Sequence, residues 1–185
     1  MTEEQWLRCT DPMAMLAFLV AKGKASERKV RLFACACRRR VGGLFADERS
    51  RVAMEASERY AEGLVSKEDL RASQEGAWAA FGAAWDAESP GQRHAAQAGL
   101  LRDIFGPLPF RRVAVPAAVL FWNSGCVVKL AAGIYGEAAF DRVPVLGDAL
   151  EEAGMTDQDI LGHCREQEAV HAKGCWVIDL LLDKE

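Results

Sequence analysis

VPVLGDALEEAGMTDQDILGHC, residues 143–164, decides the fold. Val143, Leu146, Leu150 and Ala153 return every three or four places, the spacing that puts them on one face of an α-helix. Pro144 fits a first helical turn, where its missing N–H removes no hydrogen bond. Thr156-Asp157-Gln158-Asp159 then offers side-chain oxygens to cap a second helix, which carries Ile160, Leu161 and Cys164. The pattern never switches to the alternation of a half-buried strand, so the stretch predicts helix packed on helix.

The same signals recur outward in both directions. Thr10-Asp11-Pro12 opens a helix with Met13, Leu16, Ala17, Leu19 and Val20 as its apolar face, closed by Gly23. Ser26 caps the next, with Val30, Phe33, Ala34, Cys37 and Val41 inward and Gly42-Gly43 as its end. Asp47 starts a third, with Val52, Ala56, Tyr60 and Leu64 on one side. Ser66-Lys67-Glu68-Asp69 resembles a capping box and leads into an alanine-rich helix. Beyond Ser89-Pro90-Gly91, a stripe of Ala95, Ala98, Leu101, Ile104 and Phe105 follows. Residues 117–135 form an apolar helix, and CWVIDLLLDKE finishes the chain.

The expected fold class is all-α, eight or nine helices in one domain spanning 1–185. Its halves, 1–105 and 117–185, are joined by GPLPFRRVAVP, residues 106–116. Residues before proline are biased away from helical angles, so 106–116 reads as a linker with room for a short strand at 112–115.

Composition narrows the function classes. The 185 residues are 50% hydrophobic and 27% charged, an ordinary globular balance that excludes disorder. No uninterrupted apolar run reaches the ~18 residues of a membrane span. The start, MTEEQWLRCTDP, lacks the basic and apolar parts of a secretion signal. A cytoplasmic setting without membrane contact follows, and with it six reduced thiols. Net charge is −4 but uneven: +5 over residues 1–51, −1 over 52–132 and −8 over 133–185.

Three groups of side chains carry chemistry. His163, Cys164, His171 and Cys175 form HC-x6-H-x3-C. Imidazole and thiolate are the donors zinc prefers, although adjacent residues on a helix point about 100° apart. The same thiols read as nucleophiles need an electropositive setting, whereas Asp157, Asp159, Glu166, Glu168 and Asp179 surround them. Arg31, Arg38, Arg39 and Arg40 make the helix after Ser26 basic, a candidate face for nucleic acid or another anion. Trp78, Phe81 and Trp85 share one face of the alanine-rich helix, as core or as a protein-binding surface. There is no GxGxxG, no GxxxxGK[ST] and no HExxH, and Ser124 lacks the flanks of a nucleophile elbow, so no catalytic residue is named. The leading expectation is a non-enzymatic helical module that binds another protein. A zinc- or thiol-dependent protein and a nucleic-acid binder are the alternatives.

DPMAMLAFL, KASERKVRLFACACRRR, DERSRVAMEASERYAEG, LLRDIFG followed by PFRRV, and the tail from Ala139 onward carry a resemblance over most of the chain. Together they resemble a large paralogous protein family of planctomycete bacteria. The resemblance implies a bacterial, intracellular origin and no particular activity.

Overall fold

The computed structural model describes residues 1–41, 48–74, 89–166 and 169–184, and within them the chain forms ten α-helices and no strand. The fold is all-α. The helices are α1 (Glu3–Arg8), α2 (Pro12–Ala21), α3 (Glu27–Val41), α4 (Glu48–Ala61), α5 (Lys67–Gln74), α6 (Pro90–Phe105), α7 (Ala117–Glu137), α8 (Val143–Glu152), α9 (Gln158–Arg165) and α10 (Trp176–Leu181). A 3-10 turn, Phe140–Arg142, leads into α8. Two compact units result: Cys9–Ala98, and Gly99–Glu185 together with Met1–Arg8.

Caps explain several of the helix starts. Asp157 accepts from the amides of Asp159 and Ile160 at 2.9 and 3.2 Å, and Asp11 accepts from Met13 and Ala14 at 2.9 and 3.3 Å. Helix α1 was not anticipated, yet its signal is present. The Thr2 amide donates to Gln5 Oε1 and the Gln5 amide donates to Thr2 Oγ1, a reciprocal capping box.

In the Cys9–Ala98 unit the apolar faces of α2 and α4 differ from expectation, and on α3 Val30 and Ala34, expected inward, are exposed. On α2, Met15 and Leu19 are fully buried while Met13 and Val20 are about two-thirds exposed. This helix is apolar nearly all round, so periodicity cannot choose its inward side. On α4, Ala53, Ser57 and Glu58 are buried while Val52, and Leu64 just past the helix end, face solvent. Charge pairing sets that rotation. Arg39 clasps Glu58 through two hydrogen bonds of 2.6 and 3.0 Å, and Arg28 donates twice to Glu62 at 3.1 and 3.0 Å. The carboxylates are the buried partners, 5% and 8% exposed, whereas the Arg39 side chain is half in water. Removing the guanidinium therefore costs more than removing the acid. Arg39→Ala should lower stability by ~2 kcal/mol and Glu58→Gln by ~1 kcal/mol, read as midpoints in urea. Equal losses would reject the asymmetry.

The Gly99–Glu185 unit is built on Val119, Val127, Ala131, Ile134, Leu146, Leu150, Ile160 and the α10 residues Trp176, Val177 and Ile178. Val143, Leu146 and Leu150 are inward as their spacing predicts. The segment 106–116 forms no strand; Leu108, Val113 and Val115 pack on this core, so it covers apolar surface. Trp6 of α1 is buried here, its ring 6.0 Å from Phe110, with its carbonyl accepting from Arg102 Nε. Arg111 pairs with Glu3 and Asp159.

Helix α7 is not the continuous helix that its composition suggests. Trp122 takes an extended ψ of 135°, and Asn123, Ser124 and Gly125 all adopt positive φ of 45°, 58° and 74°. Asn and Gly tolerate that region best, so NSG was a readable interruption. By length and composition α7 suffices to cross a membrane, a point that counting only uninterrupted apolar residues misses. Non-helical backbone is costly in lipid, and five α7 side chains, Val119 to Tyr135, are buried in this unit.

Candidate metal centre

Asp103, His163, His171 and Cys175 each direct a donor atom to one point, with all four atoms within 4.8 Å of one another. Each position has a local cause. Asp103 lies in the last turn of α6, whose Leu100, Leu101, Ile104 and Phe105 are buried around it. His163 lies in the last turn of α9, held in place by buried Ile160, Leu161 and Cys164. His171 is in the connection to α10, and Cys175 is the N-cap residue of α10, its amide bonded to the Ala172 carbonyl at 3.0 Å.

The distances suit a cation. His163 Nε2 is 3.3 Å from Cys175 Sγ and 3.2 Å from Asp103 Oδ1. His171 Nδ1 is 2.7 Å from the same Asp103 oxygen and 4.0 Å from Cys175 Sγ. Metal–ligand arms of about 2.0–2.3 Å arranged tetrahedrally give ligand–ligand edges of about 3.3–3.8 Å. Three of these four separations fall within about half an ångström of that range, and the widest of the six extends to 4.8 Å, so closing on an ion needs a small movement of the side chains. The second Asp103 oxygen accepts from the Ala172 amide at 2.9 Å, which fixes the carboxylate with Oδ1 inward.

The arrangement also separates metal binding from thiol catalysis. An acid–base–thiol relay uses the two different nitrogens of one imidazole. Here Asp103 and Cys175 both face Nε2 of His163, and both face Nδ1 of His171. The geometry is convergent, with no relay in it. Access points the same way: Cys175 is fully buried, and burial followed by the Asp103 charge pushes its thiol well above the ordinary range. The amides of Ile178 and Val177, at the start of α10, act in the opposite sense and favour thiolate. Burial likewise pushes the Asp103 carboxyl up, but hydrogen bonds and charge from His163 and His171 outweigh it and hold the group below its usual range. These four groups can hold a metal ion. His171 Nε2, on the far side of its ring, is buried without a hydrogen-bond partner.

Three of the four residues singled out from HC-x6-H-x3-C are therefore brought together, and Cys164 is not among them. It packs on α8: a Cβ added to Gly147 would lie 2.8 Å from the Cys164 Cβ. Its thiol is pushed to about 12 by burial, with Asp103 adding to the rise. The fourth donor, Asp103, is 60 residues before His163, and its only signal was an acid on the inward stripe Leu100, Leu101, Ile104.

The basic residues of α3 divide. Arg39 is committed to Glu58, Arg31 stacks 4.6 Å over the Tyr60 ring, and the charge of Arg40 acts on the buried Cys37 thiol. Trp78, Phe81 and Trp85 lie outside the described residues. No family model, curated protein or solved structure matches the chain.

Proposed function

We propose that this protein is a zinc-binding protein of the cytoplasm, with a closed structural centre in its Gly99–Glu185 unit. The observation that carries the reading is the convergence of Asp103 Oδ1, His163 Nε2, His171 Nδ1 and Cys175 Sγ on one point. Two imidazoles, one carboxylate and one thiolate form a borderline-soft set that suits zinc and does not suit magnesium or calcium. The charges also balance. Carboxylate and thiolate supply two negative charges against the two positive charges of zinc, so a neutral complex is what becomes buried. Side chains 11% exposed or less at His163, His171 and Asp103 leave no open position for a substrate, which argues for a structural role over a catalytic one.

Protein purified without a histidine tag should carry about one zinc per chain by elemental analysis, and Cys175→Ala less than about a tenth of that. Cobalt(II) exchanged into the site should show the intense visible bands of tetrahedral coordination and a thiolate charge-transfer band that Cys175→Ala removes. Substoichiometric metal in both proteins, with octahedral cobalt spectra, would reject the assignment.

A further inference from the structure

The Cys9–Ala98 unit carries an interaction surface independent of the metal centre. Helix α2 buries Met15 and Leu19, while Met13, Ala14, Ala17, Val20 and Ala21 are all exposed. At about 100° per residue these five fall within one stripe about 120° wide, with Ala17 at its middle. The helix, PMAMLAFLVA, contains no polar residue that could face water in their place. We propose that this face docks on the same face of a second copy of the chain, the two α2 helices lying antiparallel about a two-fold axis through Ala17.

Shape is the first support. With Ala17 set against its own counterpart, an antiparallel pair places Met13 opposite Ala21 of the second copy and Val20 opposite Ala14. Each large side chain meets a small one, the self-complementarity that a two-fold interface demands. Alanine at the crossing lets the helix axes approach to about 8 Å. Charge is the second support. Asp11 caps the N-terminal end of α2, and Lys22 and Lys24 follow its C-terminal end. Among the described residues, none of these three takes part in an ion pair. Antiparallel pairing brings the acidic end of each helix to the basic end of the other and sets their macrodipoles in opposition, which is the favourable sense.

The same charges favour a second copy over a lipid surface. An anionic membrane gains from Lys22 and Lys24 but is repelled by Asp11, and α2, ten residues and about 15 Å long, spans only half of a bilayer core. Size then fixes the strength. A helix face about 15 Å by 10 Å offers on the order of 300 Å² per copy, well under the ~800 Å² per partner of a standard interface. The dimer is therefore reversible, with a dissociation constant of about 10–100 μM.

Sedimentation equilibrium of the full chain, over concentrations that bracket this constant, should show monomer and dimer in exchange. Ala17→Glu sets two like charges on the axis and should weaken association at least about thirtyfold, as should Ala17→Lys. The helical spectrum should not change, because the position is exposed. Mixed in equal amounts, these two variants should associate again, since opposite charges then meet. Lys22→Glu combined with Lys24→Glu should weaken the dimer about tenfold at low salt and much less in ~0.5 M salt, where screening acts within a few ångströms. A chain that stays monomeric throughout, or a mixture of the two Ala17 variants that stays monomeric, would overturn the pairing. Association indifferent to the lysine reversals at low salt would overturn its antiparallel sense. Flotation of the monomer with phosphatidylglycerol vesicles, abolished by Ala17→Glu, would reject the second copy in favour of a membrane surface.

Discussion

Removing the proposed zinc with a chelator should lower the stability of the folded chain by several kcal/mol and shift its urea midpoint accordingly. The size follows from linkage. An ion that binds the native state and not the unfolded one adds its binding free energy to folding, about 4 kcal/mol when free metal exceeds the dissociation constant a thousandfold. The four donors come from two helix ends, a connecting segment and a helix N-cap, a constellation that the unfolded chain does not hold in place. Asp103→Asn isolates the charge. The amide keeps the size of the carboxylate, but the complex then carries one net positive charge in a buried site. Zinc affinity should fall by about 10²–10³-fold, measured by competition with a chromophoric chelator.

Acid should act on both forms, with a sign fixed by the donors. Thiolate and neutral imidazole are the binding forms, and the Cys175 thiol is raised, so binding releases a proton and affinity weakens as pH falls. In the metal-free chain the Asp103 carboxyl sits below the ordinary aspartate value of 3.8. Its contribution is present above that value and disappears as pH drops through the lower folded one. The metal-bound protein should consequently lose its added stability at higher pH than the metal-free protein unfolds. Identical melting with zinc and with chelator at neutral pH would remove the structural role.

How much of this was legible in the chain differs by element. Helix α8 was readable because Val143, Leu146 and Leu150 do what periodic spacing requires, all at 0% exposure. The helical class followed from repeats of that pattern and from caps such as Asp11 and Asp157. Faces were less legible where apolar residues surround a helix, as in α2, or where buried groups are charged or small, as with Glu58 and Ser57 on α4. The turn at Asn123-Ser124-Gly125 was written in residue types but masked by the apolar run around it. At the metal centre, His163, His171 and Cys175 were close enough in sequence to attract attention. Asp103 was not, because the contact that brings it to the other candidate donors is tertiary, and Cys164 was included by adjacency although successive helical residues diverge.

Gly106 provides the second large effect, because one hydrogen atom there separates two parts of the centre. The residue closes α6 three positions after Asp103, its amide donating to the Arg102 carbonyl at 2.8 Å, and its φ is +50°. A Cβ at this position would lie 2.6 Å from Cδ1 and Cγ of Trp176 and 2.7 Å from Cδ2, well inside contact distance. The indole cannot withdraw: it is 1% exposed, follows Cys175 directly, and its ring centre is 5.3 Å from that of His163. Gly106→Ala therefore has to displace either the end of α6 or the start of α10, and each of them holds a donor. The left-handed backbone costs about 1 kcal/mol and the overpacking about 1–3 kcal/mol more, so a loss of ~2–4 kcal/mol is expected. Gly154→Ala supplies the comparison, since its φ is +92° but nothing lies within 4 Å of an added Cβ. That variant should lose only the backbone part, about 1 kcal/mol, and keep its zinc affinity. Gly106→Ala should lose both stability in urea and at least about tenfold in zinc affinity, the factor that distorting a ligand's support produces. If the two alanine variants unfold at the same urea concentration and hold zinc equally well, the contact between Gly106 and Trp176 does not position the metal ligands.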